Sequence, residues 1–148
     1  MNDCERGKIR NREYASQLRD FSGLRFGRIT PTDIDGFMDF NNKAFVFIEA
    51  KHGVALPKTG QRLALERVCD ACESAGKSTL VLVASHTDAG DIQFASIPVA
   101  FIRHKGKWRT PRKPTTVREA IETFLEWCGL HEYSAKPLDT RKAGWLDE

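Results

Sequence analysis

Hydrophobic and polar positions follow different periods along this chain, and the changes of period mark out its elements. Tyr14, Leu18 and Phe21 recur at i, i+4, i+7, which predicts a helix over 11–22, broken by Gly23. Residues 24–29 (LRFGRI) read as a short strand interrupted by Gly27. Residues 33–40 and 44–51 read as a β-hairpin, with Val46, Phe47 and Ile48 as core positions and Asn41-Asn42 as turn residues. Residues 61–75 are amphipathic. Leu65, Val68, Cys69 and Cys72 form the apolar stripe, and Gly76 is the stop.

Thr79–Ala84 (TLVLVA) is wholly apolar apart from its first residue, the pattern of a central strand covered on both faces. Residues 97–103 predict another strand, with Pro98 suiting its start or a sheet edge. Thr116-Val-Arg-Glu119 is a capping box that opens a helix over 116–128, and Gly129 follows it. The order helix, two or three strands, helix, strand, strand, helix predicts one α/β domain over 1–148, with a mixed central sheet flanked by helices.

The totals add limits. A chain of 148 residues with 29% charged side chains and a net charge of +3 has the composition of a soluble globular protein. No apolar run approaches the roughly 18 residues of a membrane span, so no membrane partner is expected. The polar N-terminus has no signal-peptide core, and four scattered cysteines fit reduced thiols; a cytoplasmic setting is expected.

The hairpin carries the chemistry. Side chains alternate along a strand, so Asp33 and Asp35 share one face, as do Glu49 and Lys51. A three-residue loop, Asn41-Asn42-Lys43, would pair Phe40 with Ala44. It would set Asp35 opposite Glu49 and Asp33 opposite Lys51. A two-residue loop would put the acid pairs on opposite faces. In the three-residue type the left-handed residue falls at Lys43, or the turn carries a bulge. Opposed carboxylates repel unless a cation lies between them. Oxygen ligands without His or Cys suit magnesium, with manganese as substitute. Lys51 would then stand beside the attacking water or a phosphate, where an ammonium stabilises developing negative charge.

Asp35 followed by Glu49-Ala50-Lys51 resembles the PD-(D/E)XK nuclease superfamily, whose motif sets an acid on one hairpin strand and (D/E)-X-K on the next. The resemblance covers residues 11 to 84, about half the chain. It implies the restriction-endonuclease-like αβββαβ core and a magnesium-dependent nuclease acting on DNA. In it Asp35 and Glu49 hold metal, Asp33 is a further metal candidate, and Lys51 assists catalysis. Gln61, opening the helix after the motif strand, is similar to the supporting Gln of some exonuclease branches, although the Tyr they carry four residues later is Leu65 here. Glu13 matches the extra acid on the first helix of resolvase-like branches. The alternatives are a non-catalytic nucleic-acid-binding or regulatory domain on the same fold and a homodimeric junction resolvase.

Residues 103–113 (RHKGKWRTPRK) hold six Lys or Arg and no acid. Arg103, Lys105, Lys107, Arg109, Arg112 and Lys113 could neutralise phosphates while Trp108 stacks on a base; the other reading is a solvated basic turn around Gly106. Three further features read as structural. Cys69-x-x-Cys72 lies on an apolar helical stripe. Ala75-Gly-Lys-Ser-Thr79 imitates a phosphate loop but follows a helix and opens a strand. His52 faces away from Lys51, and His86 ends a strand.

Overall fold

The computed structural model describes residues 8–9, 11–17 and 19–133. The chain divides into two units, Met1–Asp33 and Ile34–Glu148. In the first, helix α1 spans only Arg12–Ala15, with Asn11 Oδ1 accepting the Tyr14 N–H at 2.9 Å as its cap. A 3-10 turn follows at Ser22–Leu24. The helix expected over 11–22 is thus a single turn. Tyr14 and Phe21 are exposed, and a short helix without a packed face gains little stability. The segment 24–29 does not become a sheet strand. Phe26 and Ile29 bridge each other across Gly27, whose φ of +63° turns the chain back.

The second unit is a five-stranded sheet in the order β1 (Gly36–Phe40), β2 (Ala44–His52), β3 (Ser78–His86), β4 (Val99–His104), β5 (Lys107–Arg109). β2 and β3 are parallel, joined through helix α2 (Thr59–Ser74); the other neighbours are antiparallel. Helix α3 (Val117–Trp127) completes a mixed open α/β sheet. No described helix is long and apolar enough to cross a membrane.

Alternation assigns the two faces. Val46, Ile48, Leu80, Leu82 and Ile102 pack with Ala120 and Phe124 on the α3 side. Phe47 and Val81 pack with Leu65 and Cys69 on the α2 side. β3 lies between, and Thr79 through Ala84 are buried. The α3 capping box forms as expected, with Thr116 Oγ1 accepting the Glu119 N–H at 3.2 Å. At the end of α2, Gly76 (φ +82°) and Lys77 donate to Glu73 and Cys72 carbonyls, the pairing of a Schellman motif. The stretch resembling a phosphate loop is therefore a helix-to-strand turn. Val68, expected in the apolar stripe, is 46% exposed, because the sheet meets α2 through Leu65 and Cys69.

The basic segment differs most from expectation. It forms the β4–β5 hairpin, with the turn around Gly106 made by Lys105 and Gly106, both at positive φ. Arg103 and Trp108 are cross-strand partners on the α2 side. Arg103 is 5% exposed and its Nη2 donates to Asp70 Oδ1 at 2.8 Å. Trp108 packs against the α2-side cluster, and its Nε1 donates to Glu66 Oε1 at 2.8 Å. Both anchor α2 to the far half of the sheet. His104 faces α3, edge-on to Phe124, and burial beside Lys105 and Arg109 lowers its pKa to about 4.

Removing the partner of a buried charge costs more than replacing the charge by an apolar side chain of similar reach. Asp70→Ala, which leaves the Arg103 guanidinium unpaired, is expected to lower stability by about 2 kcal/mol. Arg103→Met is expected to cost less. Urea unfolding of both variants, at constant m-value, measures the order.

Candidate metal and catalytic site

β1 and β2 fix the site through their register. Phe40 pairs with Ala44 and Gly36 with Ile48, as the three-residue loop requires. The left-handed residues of that loop are Asn41 (φ 52°) and Asn42 (φ 63°), not Lys43. Asn tolerates that conformation, and Lys43 N–H closes the turn onto Phe40 O at 3.0 Å.

One residue beyond the ladder stands Asp35. Although the sequence suggested a strand from residue 33, β1 begins at Gly36, so Asp35 meets β2 through its side chain. The Ala50 N–H donates to Asp35 Oδ2 at 2.9 Å, and the Asp35 N–H reaches Glu49 Oε1 at 3.4 Å. The carboxyl group thus takes the place of the next main-chain acceptor and is held beside Glu49.

Glu49 is 2% exposed, on the α2 side with Phe47. Burial, and then the nearby Asp35 charge, push its pKa up to about 7; a Gln61 hydrogen bond and Lys51 oppose the shift. Lys51 Nζ lies 3.8 Å from Glu49 Oε2 and donates to Gln61 Oε1 at 3.3 Å. Gln61 sits in the first turn of α2, which follows β2 after a six-residue loop. Glu49, Lys51 and Gln61 thus form one connected cluster, and Asp35 adds the second carboxylate.

The other expected members belong to other elements. Asp33 ends the first unit, and the ladder that would set it opposite Lys51 stops at Gly36 and Ile48. Glu13 lies in α1 of that unit. Arg103 and Trp108 are occupied with α2, which corrects their expected place on a phosphate path. Lys105, Lys107, Arg112 and Lys113 are exposed around the hairpin and beyond it, and Arg109 is half-buried. His52 stacks edge-on with His86, ring centroids 5.6 Å apart, away from the Lys51 side as alternation requires. Cys69, Cys72 and Cys128 are free thiols. Hydrophobic patterning gave no sign of the Glu66 and Asp70 anchors; their i, i+4 spacing on the wet face of α2 was the only trace.

The donor set fits a hard cation. Among the described residues no group of three or more His, Cys, Asp or Glu side chains could hold a metal ion. Two carboxylates, one of them raised in pKa by burial and then by the charge of the other, suit an ion that takes one or two protein carboxylates and fills its remaining positions with water and phosphate. The chain matches no protein-family model, no curated protein and no solved structure.

A carboxylate whose folded pKa lies above its unfolded value favours the folded state at low pH. That contribution is lost as pH rises from about 4.5 to about 7. His104, with its pKa lowered, acts oppositely: its contribution is lost as pH falls from 6.5 toward about 4. Comparing variants separates the two. In chelator, the melting temperature of Glu49→Gln minus that of the wild type should climb between pH 4.5 and pH 7. Thermal unfolding across that range measures it, and a flat difference would contradict the assigned proton.

Proposed function

We propose that this protein is a metal-dependent nuclease that hydrolyses phosphodiester bonds in DNA, of the PD-(D/E)XK type. The observation that carries the reading is the hairpin register, which sets Asp35 against Glu49 while Lys51 and Gln61 converge on the same carboxylate. A structural hairpin gains nothing from opposed, partly buried acids. The hairpin, the helix that follows and the parallel strand β3 agree with the later part of the αβββαβ core. Among the described residues, the first strand of that core has no counterpart in the sheet.

Asp35 and Glu49 would hold magnesium, or manganese in its place. Bound there, the ion supplies positive charge beside the scissile phosphate. The remaining work falls to the chain itself. Lys51, fixed from two sides by Glu49 and Gln61, offers its ammonium to the phosphate oxygens as charge develops on them. Gln61 keeps the Lys51 amine and the Glu49 carboxylate in register with each other. Water adds to phosphorus, the P–O bond to the leaving sugar oxygen breaks, and that oxygen takes up a proton. The remaining exposed cations, Lys105, Lys107, Arg112 and Lys113 with Arg109, would follow the phosphate backbone.

Glu49→Ala and Lys51→Ala are each expected to lower magnesium-dependent cleavage of DNA by about 10²–10³ while leaving the fold intact. Cleavage assays with circular dichroism on the same preparations measure both, and near-normal turnover by folded Glu49→Ala would defeat the assignment.

Replacing Lys105 and Lys107 together by Ala is expected to flatten the slope of log K against log salt by up to about two units. Salt titration of DNA binding in a Glu49→Ala background tests this. An unchanged slope would move the phosphate path away from the β4–β5 hairpin.

A further inference from the structure

β1 stands at the edge of the sheet, and its register puts Phe37 on the face that carries the site. Asp35 lies beside Glu49, Phe37 pairs with Phe47, and Asp39 pairs with Phe45. Alternation sends all of these to the α2 side, where Phe47 is buried with Leu65 and Cys69.

Phe37 is 55% exposed there. Its ring stacks on Phe45, with centroids 6.0 Å apart and 9° between the planes, and lies tilted against Phe47 at 5.2 Å. The ring is thus held in place before any ligand arrives, which lowers the entropic cost of using it.

The helix above leaves it open. Glu66 and Asp70 bond Trp108 and Arg103, so that flank of α2 faces β5. At about 3.6 residues per turn, Ala64 and Val68 fall on the opposite flank, toward β1. Both are exposed. An apolar strip of Phe37, Phe45 and Val68 therefore adjoins the Asp35–Glu49 pair.

The strip selects a class of ligand. On this face of β1, Phe37 stands between the carboxylates of Asp35 and Asp39, with no Lys or Arg among them. Phosphate is repelled over Phe37, whereas an uncharged flat ring gains a π-face. Two strand residues span about 7 Å, the reach of a base from a phosphate held at Asp35 and Glu49. A base inside a duplex has both faces covered by its neighbours, so only an unpaired one offers a face to the ring.

We propose that Phe37 is the stacking platform for an unpaired nucleobase beside the cleaved phosphate, which makes single-stranded or unpaired DNA the substrate class. The role that the sequence suggested for Trp108 passes to an aromatic ring on the site's own face. The proposal rests on the nuclease reading for the place of the phosphate, but binding can be measured without cleavage.

The test is binding of labelled single-stranded and duplex DNA to the full-length protein in chelator. Phe37→Leu keeps the apolar contact with Phe45 and Phe47 and removes the ring. It should weaken single-strand binding by roughly tenfold, the worth of one base–aromatic stack. Duplex binding should change by less than about twofold, and the salt slope should stay as in the wild type, because no phosphate contact is lost. Phe37→Tyr should restore single-strand affinity. A short single-stranded oligonucleotide should also shift the Phe37 ring resonances of the wild type, and inorganic phosphate should not.

Equal losses on single strand and duplex, unchanged single-strand affinity in Phe37→Leu, or unshifted Phe37 resonances would overturn the platform. So would a dimer that Phe37→Leu splits without loss of single-strand affinity, since Phe37 would then be a contact between copies. A wild type that shows the single-strand effects yet cleaves no DNA in magnesium would defeat the nuclease reading and uphold the platform.

Discussion

Two carboxylates held together by a hairpin register are the constraint from which the rest of this structure follows. Asn41 and Asn42 accept left-handed backbone, the loop takes three residues, and Phe40 therefore meets Ala44. A shift by one residue would send Glu49 and Lys51 to the α3 face beside Leu82 and turn Ile48 away from that core. With the observed register, Asp35 binds the Ala50 N–H and lies beside a Glu49 that burial has already made reluctant to ionise. The stability of the sheet does not need this arrangement, and it makes the metal-free protein less stable as pH rises toward neutrality.

The site also depends on where α2 stands. Gln61 reaches Glu49 and Lys51 only if the first turn of the helix lies over β2. Leu65 and Cys69 set its height by packing on Phe47 and Val81. The Asp70–Arg103 and Glu66–Trp108 bonds fix its rotation from the other half of the sheet. The basic hairpin thus has two parts. Its inward residues position the helix that carries Gln61, and its outward residues Lys105 and Lys107 are exposed.

Much of this was readable in the sequence, and the exceptions have physical causes. The hairpin, α2, β3, the α3 capping box and the stop at Gly76 were marked by strong local signals: period, caps and turn residues. The register was readable because one face is buried and a slip would expose it. The helix expected over 11–22 is only one turn long where Tyr14 and Phe21 remain exposed, and periodicity does not reveal whether a partner surface exists. Arg103 and Trp108 were misplaced for a related reason. A run of cations looks like a surface, but alternation in β4 and β5 sends every second residue inward, where Asp70 and Glu66 meet them. Asp33 was expected opposite Lys51 on a strand that in fact begins three residues later.

Whether Asp35 and Glu49 together hold a divalent cation, as proposed, is tested most directly by manganese binding. Titration of the apo protein with manganese, followed by water-proton relaxation, counts sites without needing a substrate. One saturable site is expected in the wild type, displaced by magnesium and abolished by Asp35→Asn or Glu49→Gln. A wild type that binds no manganese, or an Asp35→Asn variant that binds it as well as the wild type, would contradict it.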